Sequence, residues 1–377
     1  MNIGIYVHIP FCLSKCYYCD FTSFINGKET YELYVDALID EIKAHEASTR
    51  EPLTVKTIFI GGGTPSVLPP ILLEKIMKSL GEAFHIAEDV EYTIESNPGT
   101  LSVDKLRVMR DHGVNRISMG VQAYQNHLLK KIGRLHTRAD FIDTYHLCRK
   151  LGFNNINLDL MFGLPDQTLE DWQETLSQIT ALGADHISAY SLIVEDGTPF
   201  GDMYDKGELQ LVDEELERRM YHYGKEYLDQ KGYSQYEISN FAKPSKASRH
   251  NIDCWKSRPY IGMGLGAHSY FQGHRYHNTY NMSEYLGSSS QLNQIQKNKE
   301  FINLKAQMEE YMFLGLRLTD GIGIEGFEER FNRSIWDVYG EQISSHKKQD
   351  LLIQKGGRIF LTPFGQDVSN IVFSSFL

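Results

Sequence analysis

Three thiols lie close together near the start of the chain, in the stretch Tyr6-Val-His-Ile-Pro-Phe-Cys-Leu-Ser-Lys-Cys-Tyr-Tyr-Cys-Asp-Phe21. Cys12, Cys16 and Cys19 form a C-x3-C-x2-C array, and the chain holds five cysteines in all. Three thiolates on one loop can hold three irons of a [4Fe–4S] cube, leaving the fourth iron without a protein ligand. An open iron is a place for chemistry, just as a metal site with three protein ligands keeps a position for substrate. Structural zinc is the alternative, but it wants a fourth Cys or His nearby, and Cys148 and Cys254 are distant in sequence. A disulfide framework does not suit an odd cysteine count in a chain of 377 residues.

The elements around that loop alternate. Ile3 to Ile9 reads as a first strand, and helical spacing marks Tyr31 to His45, Ile71 to Phe84, Ser102 to His112, Thr137 to Leu151 and Leu169 to Leu182. Between them, β-rich runs cover Val55 to Ile60, Glu91 to Ile94, Asn115 to Val121, Asn155 to Phe162 and His186 to Ile193. Six β-then-α units predict an α/β fold with a parallel sheet and crossover helices. The unusual residues fall where strands end: the cysteine loop, Gly61-Gly62-Gly63-Thr64-Pro65, Glu95, Gln122 and Asp159. In a parallel barrel or open parallel sheet those ends share one face, and that face carries the site.

Each residue also has a plainer reading. The glycines let backbone approach an ammonium and a carboxylate closely, although a glycine triplet is more often only a tight turn. Glu95 suits an ammonium or a ribose hydroxyl, although a carboxylate taken in isolation is more often simply solvent-exposed. Asp159 sits inside the apolar run Leu158-Asp-Leu-Met-Phe162, where a charge needs a cation or hydrogen bonds. Arg134 is available to neutralise a carboxylate, or to lie on the surface.

The rest of the chain has a different texture. Val212 to Lys231 predicts a charged surface helix, and Tyr233 to Phe241 another strand. Residues 249–277 show no clean helical period, and polar Ser283 to Asn298 reads as a linker. Helical patterns at Met308 to Leu318 and Ile324 to Phe331, then Leu351 to Thr362 around Gly356-Gly357, suggest a small, mainly helical, winged-helix-like module. The expected domains are therefore 1–290 and 300–377. Residues 301–377 hold 8 Lys/Arg against 10 Asp/Glu, and the whole chain carries a formal charge of −11, which argues against nucleic acid as a partner. A lid or docking module is the expectation. No apolar run approaches transmembrane length and no secretory signal is apparent, so the free thiols predict a cytoplasmic location.

C-x3-C-x2-C after a first strand, with a GGGTP turn at the second, resembles the radical S-adenosylmethionine (SAM) enzymes. More narrowly, the chain resembles their coproporphyrinogen III dehydrogenase branch. The matching segments include Tyr6-Val-His-Ile-Pro-Phe-Cys12, Gly61-Gly-Gly-Thr-Pro-Ser66, Glu95-Ser-Asn-Pro98, Gly120-Val-Gln122, Gly133-Arg-Leu-His136 and Asp159-Leu-Met-Phe-Gly-Leu-Pro165. They continue through Tyr236-Glu-Ile-Ser-Asn-Phe241 and Gly264-Leu-Gly-Ala-His-Ser-Tyr270, so the resemblance covers essentially the whole chain. It implies a partial (β/α)6 barrel, a cluster on Cys12, Cys16 and Cys19, and SAM chelating the open iron. It further implies SAM contacts from Tyr6, Tyr18, Gly62, Gly63, Thr64, Glu95, Gln122, Arg134, Asp159 and Ile193. An electron entering the cluster would then cleave the sulfonium to methionine and a 5′-deoxyadenosyl radical.

Within that branch, oxidase-type members carry a long segment before the cluster and a further Cys two positions after its third ligand. Here eleven residues precede Cys12, and that position is Phe21. The chain is thus more similar to the heme-chaperone group, HemW, whose H-N-x-x-Y-W motif is linked to heme binding. His250-Asn-Ile-Asp-Cys-Trp255 departs from it by placing Cys254 where Tyr is usual. His250 could supply an axial imidazole and Cys254 a thiolate, with His268, His274 and His277 as equal rivals. The resemblance implies heme as cargo, an acceptor protein that receives it and a reductant protein for the cluster. It leaves open a homodimer and peripheral membrane contact through the acceptor. It also implies that coproporphyrinogen oxidase activity is lacking. The runner-up is an oxygen-independent coproporphyrinogen III oxidase, and a zinc-binding scaffold is a third reading.

Overall fold

Six parallel strands, β1 (Asn2–Ile9), β2 (Thr54–Gly62), β3 (His85–Ser96), β4 (Arg116–Gln122), β5 (Ile156–Phe162) and β6 (His186–Ser191), lie side by side in chain order in a computed structural model that describes residues 1–25, 28–49 and 52–377. Helices α1 (Lys28–Ser48), α2 (Pro70–Ala83), α3 (Val103–Asp111), α4 (Asn126–Lys131), α5 (Arg138–Lys150) and α6 (Leu169–Ala181) make the crossovers. Local sequence sets their starts. Ser102 accepts a hydrogen bond from Lys105 N, and Thr137 with Asp140 and Thr168 with Asp171 form capping boxes, each cap worth about 1 kcal/mol.

The strands have two unlike faces. Ile5, Val7, Ile58, Ile60, Ile94, Ile117, Met119, Leu158, Leu160 and Ile187 join the main hydrophobic core. Residues of the opposite parity are largely polar: Thr93 and Glu95 on β3, Arg116 and Ser118 on β4, Asn157 and Asp159 on β5, and His186 and Ser188 on β6. Since strand side chains alternate faces, this second set lines the inner side of the partial barrel. Burial of aliphatic side chains holds the fold, at roughly 1.5–3 kcal/mol each. The polar parity leaves an interior able to do chemistry.

After β6 come α7 (Pro199–Asp205), α8 (Glu214–Gln230), β7 (Ser234–Glu237), β8 (Asn240–Ala242), α9 (Arg249–Trp255), β9 (Tyr260–Met263), β10 (His268–Phe271), β11 (His274–Asn278), α10 (Met282–Ser288), α11 (Leu292–Ile295) and β12 (Gln296–Phe301). These strands extend both edges, giving twelve in the order β12-β11-β10-β9-β1-β2-β3-β4-β5-β6-β8-β7. Two sequence expectations give way here. The single strand over 233–241 is an antiparallel pair, turned where Ser239 N donates to Glu237 Oε1 (2.8 Å). The linker over 283–298 is instead folded into α10, α11 and the start of β12. Its few apolar residues are what anchor it: Tyr285 and Ile295 are fully buried, and Tyr285 OH donates to Glu41 Oε2 (2.6 Å).

The remaining elements are α12 (Leu304–Gly315), β13 (Ile322–Gly323), α13 (Ile324–Phe331), α14 (Ile335–Lys348), β14 (Leu352–Lys355), β15 (Arg358–Leu361), α15 (Pro363–Asp367) and α16 (Ser369–Ser374). They surround a second core that includes Met312, Phe327, Ile335, Ile343 and Ile359. The expected hairpin is present as β14 and β15, and β13 adds a third strand. Thr319 N donates to Tyr236 O (3.0 Å), tying this part to the large sheet. Among the described residues no helix is long and apolar enough to cross a membrane.

Candidate functional site

The cysteine loop leaves β1 and is pinned by backbone. Gly63 N donates to Ile9 O (2.9 Å), Thr64 N to Phe11 O (2.7 Å), Cys12 N to Phe24 O (3.0 Å) and Tyr17 N to Ile132 O (3.1 Å). The glycine turn at the end of β2 passes so near that side chains would not fit. A Cβ on Gly62, whose φ is +109°, would meet the His8 ring at 2.5 Å, and one on Gly63 would meet Phe11 O at 2.7 Å and Cys12 Sγ at 3.0 Å. The triplet is therefore a close approach of two loops, more than a mere turn.

Cys12, Cys16 and Cys19 share the wall of one cavity of about 330 Å³ with Tyr18, Gly62, Gly63, Thr64, Glu95, Gln122, Arg134 and Asp159. The strand-end residues singled out in the sequence thus converge. Burial pushes the Cys12 thiol up, and the Cys19 thiol up to about 11. Both are neutral at pH 7 in the absence of metal, so binding metal there releases protons. Among the described residues, no three His, Cys, Asp or Glu side chains converge as ligands of one single ion.

Two carboxyls face the same cavity. Glu95 Oε2 accepts from Gly62 N (3.0 Å), while burial, reinforced by Asp159, pushes the Glu95 carboxyl up to about 8. Burial also raises Asp159, against the lowering effect of hydrogen bonds: Oδ1 accepts from Asn157 Nδ2 (2.7 Å) and Oδ2 from Ser118 Oγ (3.2 Å). Among the described residues the group expected to need a partner is held by neutral donors, with Arg116 acting on it only at longer range and not as a salt bridge. An entering cation would favour ionisation of both groups.

Arg134 reaches across the floor. Its Nη2 donates to Asn97 Oδ1 (2.6 Å) and to Gly120 O, and its Nη1 to Cys16 Sγ (3.4 Å). Gln122 follows a register shift in β4 and takes φ +68°, a conformation that costs a residue with a side chain about 1–3 kcal/mol and that concentrates at functional sites. Thr64 Oγ1 accepts from Asn97 Nδ2 (2.8 Å) and lies 3.5 Å from Cys12 Sγ.

Two other expected residues lie off this wall. Tyr6 is hydrogen-bonded through its hydroxyl to His8 Nδ1 (2.9 Å), and Ile193 is 66% exposed after β6. Conversely, Asn97, Ser118 and Tyr190 line the cavity without having been singled out. Ser118 and Asn157, which holds Asp159, could have been found as polar residues at the inward parity of otherwise aliphatic strands.

His250 and Cys254 occupy a separate place, on α9. The His250 ring nitrogen Nδ1 is 2.9 Å from Thr57 Oγ1, and the ring packs on Phe59 with centroids 5.3 Å apart. Thr57 precedes Gly62 by five residues, about 16 Å of strand, so His250 lies deep below the cysteine loop. Burial lowers its pKa to about 4, leaving a neutral imidazole at pH 7. Burial pushes Cys254 up to about 12. His268 and His277 face each other across β10 and β11 with ring centroids 5.2 Å apart.

Parallel strands closing as a partial barrel, with three cysteines and two carboxyls on one rim, define a radical SAM fold. Residues 6–179 match the radical SAM superfamily, and residues 302–368 the HemN C-terminal domain. The heme chaperone HemW of Lactococcus lactis is 41% identical over 372 residues, 99% of this chain and 96% of that protein. HemW of Bacillus subtilis is 38% identical, over 99% of this chain and 98% of its own. The solved coproporphyrinogen III oxidase (HemN) of Escherichia coli superposes with a TM-score of 0.87 at 23% identity, covering 100% of this chain and 90% of that one, a likeness of fold. This chain belongs to the HemW family.

Proposed function

We propose that the protein is a cytoplasmic heme carrier that holds a [4Fe–4S] cluster and exchangeable SAM and passes heme to an acceptor protein. The observation that carries the cofactor reading is the shared cavity of Cys12, Cys16 and Cys19 with Glu95, Gln122, Arg134 and Asp159. A cube lets each thiolate take a different iron, so the donors need not converge on a point. The absent side chain at Gly63 leaves space beside Cys12 Sγ. When bound, the cluster supplies an open iron and an electron. The chain's own residues do the rest: Gly62 and Gly63 offer backbone to the amino-acid end of SAM, and Glu95, Asp159 and Gln122 offer oxygens to its polar groups. Tyr18 and Arg134 enclose the cysteine loop. Tyr6 and Ile193 belong to the proposed SAM contacts only as outer residues.

The carrier reading is supported by the near-full-length identity to proteins named as heme chaperones. His250 is the proposed axial ligand, being neutral at pH 7, with Cys254 four residues on along the same helix. A reductant protein for the cluster is part of the proposal. The decisive experiment pairs a hemin titration followed at the Soret band with an assay of coproporphyrinogen conversion in the presence of SAM and reductant. Heme uptake without conversion is expected. Robust conversion to protoporphyrinogen without heme uptake would replace the carrier by the oxidase, and zinc without sulfide in anaerobically purified protein would remove the cluster.

A further inference from the structure

Arg116 opens β4 with its side chain at the inward parity, and it is 2% exposed. Its Nε has no hydrogen-bond partner, and among the described residues no carboxylate forms a salt bridge with it. Thr93, its register partner on β3, is fully buried with its own Oγ1 unpartnered. A guanidinium does not shed its proton in a protein, so this charge is permanent, and a buried charge without a partner is costly. Among the described residues no other Lys or Arg stands at the inward parity of β1 to β6.

Its place on the strand names the groups it acts on. One inward step nearer the rim, about 7 Å along the strand, stands the pair Glu95 and Ser118. Ser118 Oγ donates to Asp159 Oδ2 (3.2 Å), and Glu95 and Asp159 both line the cavity that holds the cysteines. On the other side Glu91 is committed elsewhere, accepting from His250 N (3.0 Å) and Arg249 N (2.9 Å) at the start of α9. The remaining titratable neighbours are neutral. Burial lowers His186 on β6 well below its ordinary value and His250 on α9 to about 4. It raises Tyr6 on β1, Tyr190 on β6 and Tyr236 on β7. Arg116 thus lies beneath two carboxyls that burial pushes towards the neutral form, and its charge opposes that push on each.

We propose that Arg116 is a positioning residue, the fixed charge inside the barrel that holds Glu95 and Asp159 ready to ionise for the cationic end of SAM. A ligand carrying an ammonium and a sulfonium calls for carboxylates, and buried carboxyls left alone stay protonated. A direct salt bridge would occupy the oxygens that the ligand takes. A guanidinium one step below lowers the cost of ionisation and leaves those oxygens free, and Arg116 itself does not line the cavity. The inference rests on the SAM reading of that cavity and adds the residue that sets its charge.

Arg116→Met keeps a long side chain and removes the charge, while Arg116→Lys keeps the charge. Loss of a nearby opposite charge raises a carboxyl by about one pKa unit or more. In full-length protein carrying its cluster, SAM affinity is followed by anaerobic calorimetry between about pH 6 and pH 8.5, the range over which these carboxyls ionise. The rise of affinity with pH should move up by about one unit in the methionine variant, leaving it about tenfold weaker than wild type at low pH. That gap should narrow as pH rises, and the lysine variant should stay closer to wild type than to Arg116→Met. A merely structural role lowers affinity by the same factor at every pH. That result, or equal loss in both variants, overturns the assignment. Urea midpoints of cluster-free, SAM-free protein give a second readout that needs no ligand. The decline with rising pH that Glu95 completes near its raised value of about 8 should continue beyond it in Arg116→Met, and superimposable curves overturn the proposal as well. Wild-type protein that binds no SAM at any pH removes the SAM reading itself, a result distinguishable from binding that ignores Arg116.

Discussion

The backbone N–H of Gly62 donates to Glu95 Oε2 across 3.0 Å, fastening the end of β2 to the end of β3 beside the cysteine loop. Glu95 is nonetheless pushed up to about 8 by burial and by Asp159, well above its ordinary 4.5. A carboxyl whose folded pKa is raised binds more protons folded than unfolded, so stability falls as pH rises from about 4.5 to about 8. The upper limit is on the order of 5 kcal/mol, at 1.36 kcal/mol per pKa unit. Glu95→Gln should flatten this part of the curve in cluster-free, SAM-free protein. Urea midpoints at pH 5, 6.5 and 8 would check it, and parallel curves for variant and wild type would sink it.

Asn157 is the joint of the barrel interior. Its Nδ2 donates to Asp159 Oδ1 (2.7 Å) and Ser118 Oγ (2.8 Å), while its Oδ1 meets His186 Nδ1 (2.6 Å) and accepts from Ser188 Oγ (3.2 Å). Asn157→Leu keeps the volume but strands these partners, at about 1–3 kcal/mol for each buried orphan. A total loss of about 3–5 kcal/mol is expected in denaturant unfolding, with weaker SAM binding by calorimetry. Ser118→Ala removes one donor from Asp159 and should cost only about 1 kcal/mol.

The network around Asn157 marks the limit of what the sequence discloses. Strand-ending residues were legible because C-x3-C-x2-C, the glycine triplet, Glu95, Gln122 and Asp159 interrupt aliphatic runs at the point where a parallel strand must end. Their convergence on one cavity follows from parallel order alone. The inward parity of Ser118 and Asn157 was there to be read, but their partners were not, because a single polar residue in mid-strand carries no sign of which neighbour it meets. The segment 283–298 fails for a related reason: its local composition is polar, and Tyr285 is held by Glu41 from a helix far away in sequence.

That correction has its own consequence. Tyr285 is fully buried, stacks on Tyr34 with centroids 5.3 Å apart, and donates to Glu41. Tyr285→Ala should cost about 3–5 kcal/mol through the cavity and the lost hydrogen bond to Glu41, which keeps its bonds from Gly264 N and Asn278 Nδ2. Limited proteolysis should spare 283–298 in wild-type protein and open it in the variant. Rapid cleavage of the wild-type chain there would restore the linker.

His250 predicts an acid limit. Burial lowers its pKa from 6.5 to about 4, so the unfolded chain takes up a proton that the folded one refuses. The stability concerned is fully present above about 6.5 and is lost as pH falls towards about 4, to at most about 3 kcal/mol. His250→Phe retains a ring against Phe59 and removes the titration. Its stability should therefore fall less between pH 7 and pH 5 than that of wild type. Equal losses, measured as shifts in urea midpoint, would clear His250 of this role.

Arg134 decides whether the cysteine loop is held by the barrel or merely tethered to it. One guanidinium spans Cys16 Sγ (3.4 Å), Asn97 Oδ1 (2.6 Å) and Gly120 O, which belong to three different segments of the rim. A lysine keeps the charge, but its single ammonium cannot reproduce a planar fork across three acceptors. If positioning matters, Arg134→Lys should behave like Arg134→Met and not like wild type. Loss of such an outer partner typically weakens metal holding roughly 10–100-fold, so both variants should lose iron to a chelator at least tenfold faster after anaerobic reconstitution. If charge alone matters, the lysine variant keeps its iron and only the methionine variant fails. Asn97→Ala separates the two further, since it leaves the charge and removes one acceptor that orients it.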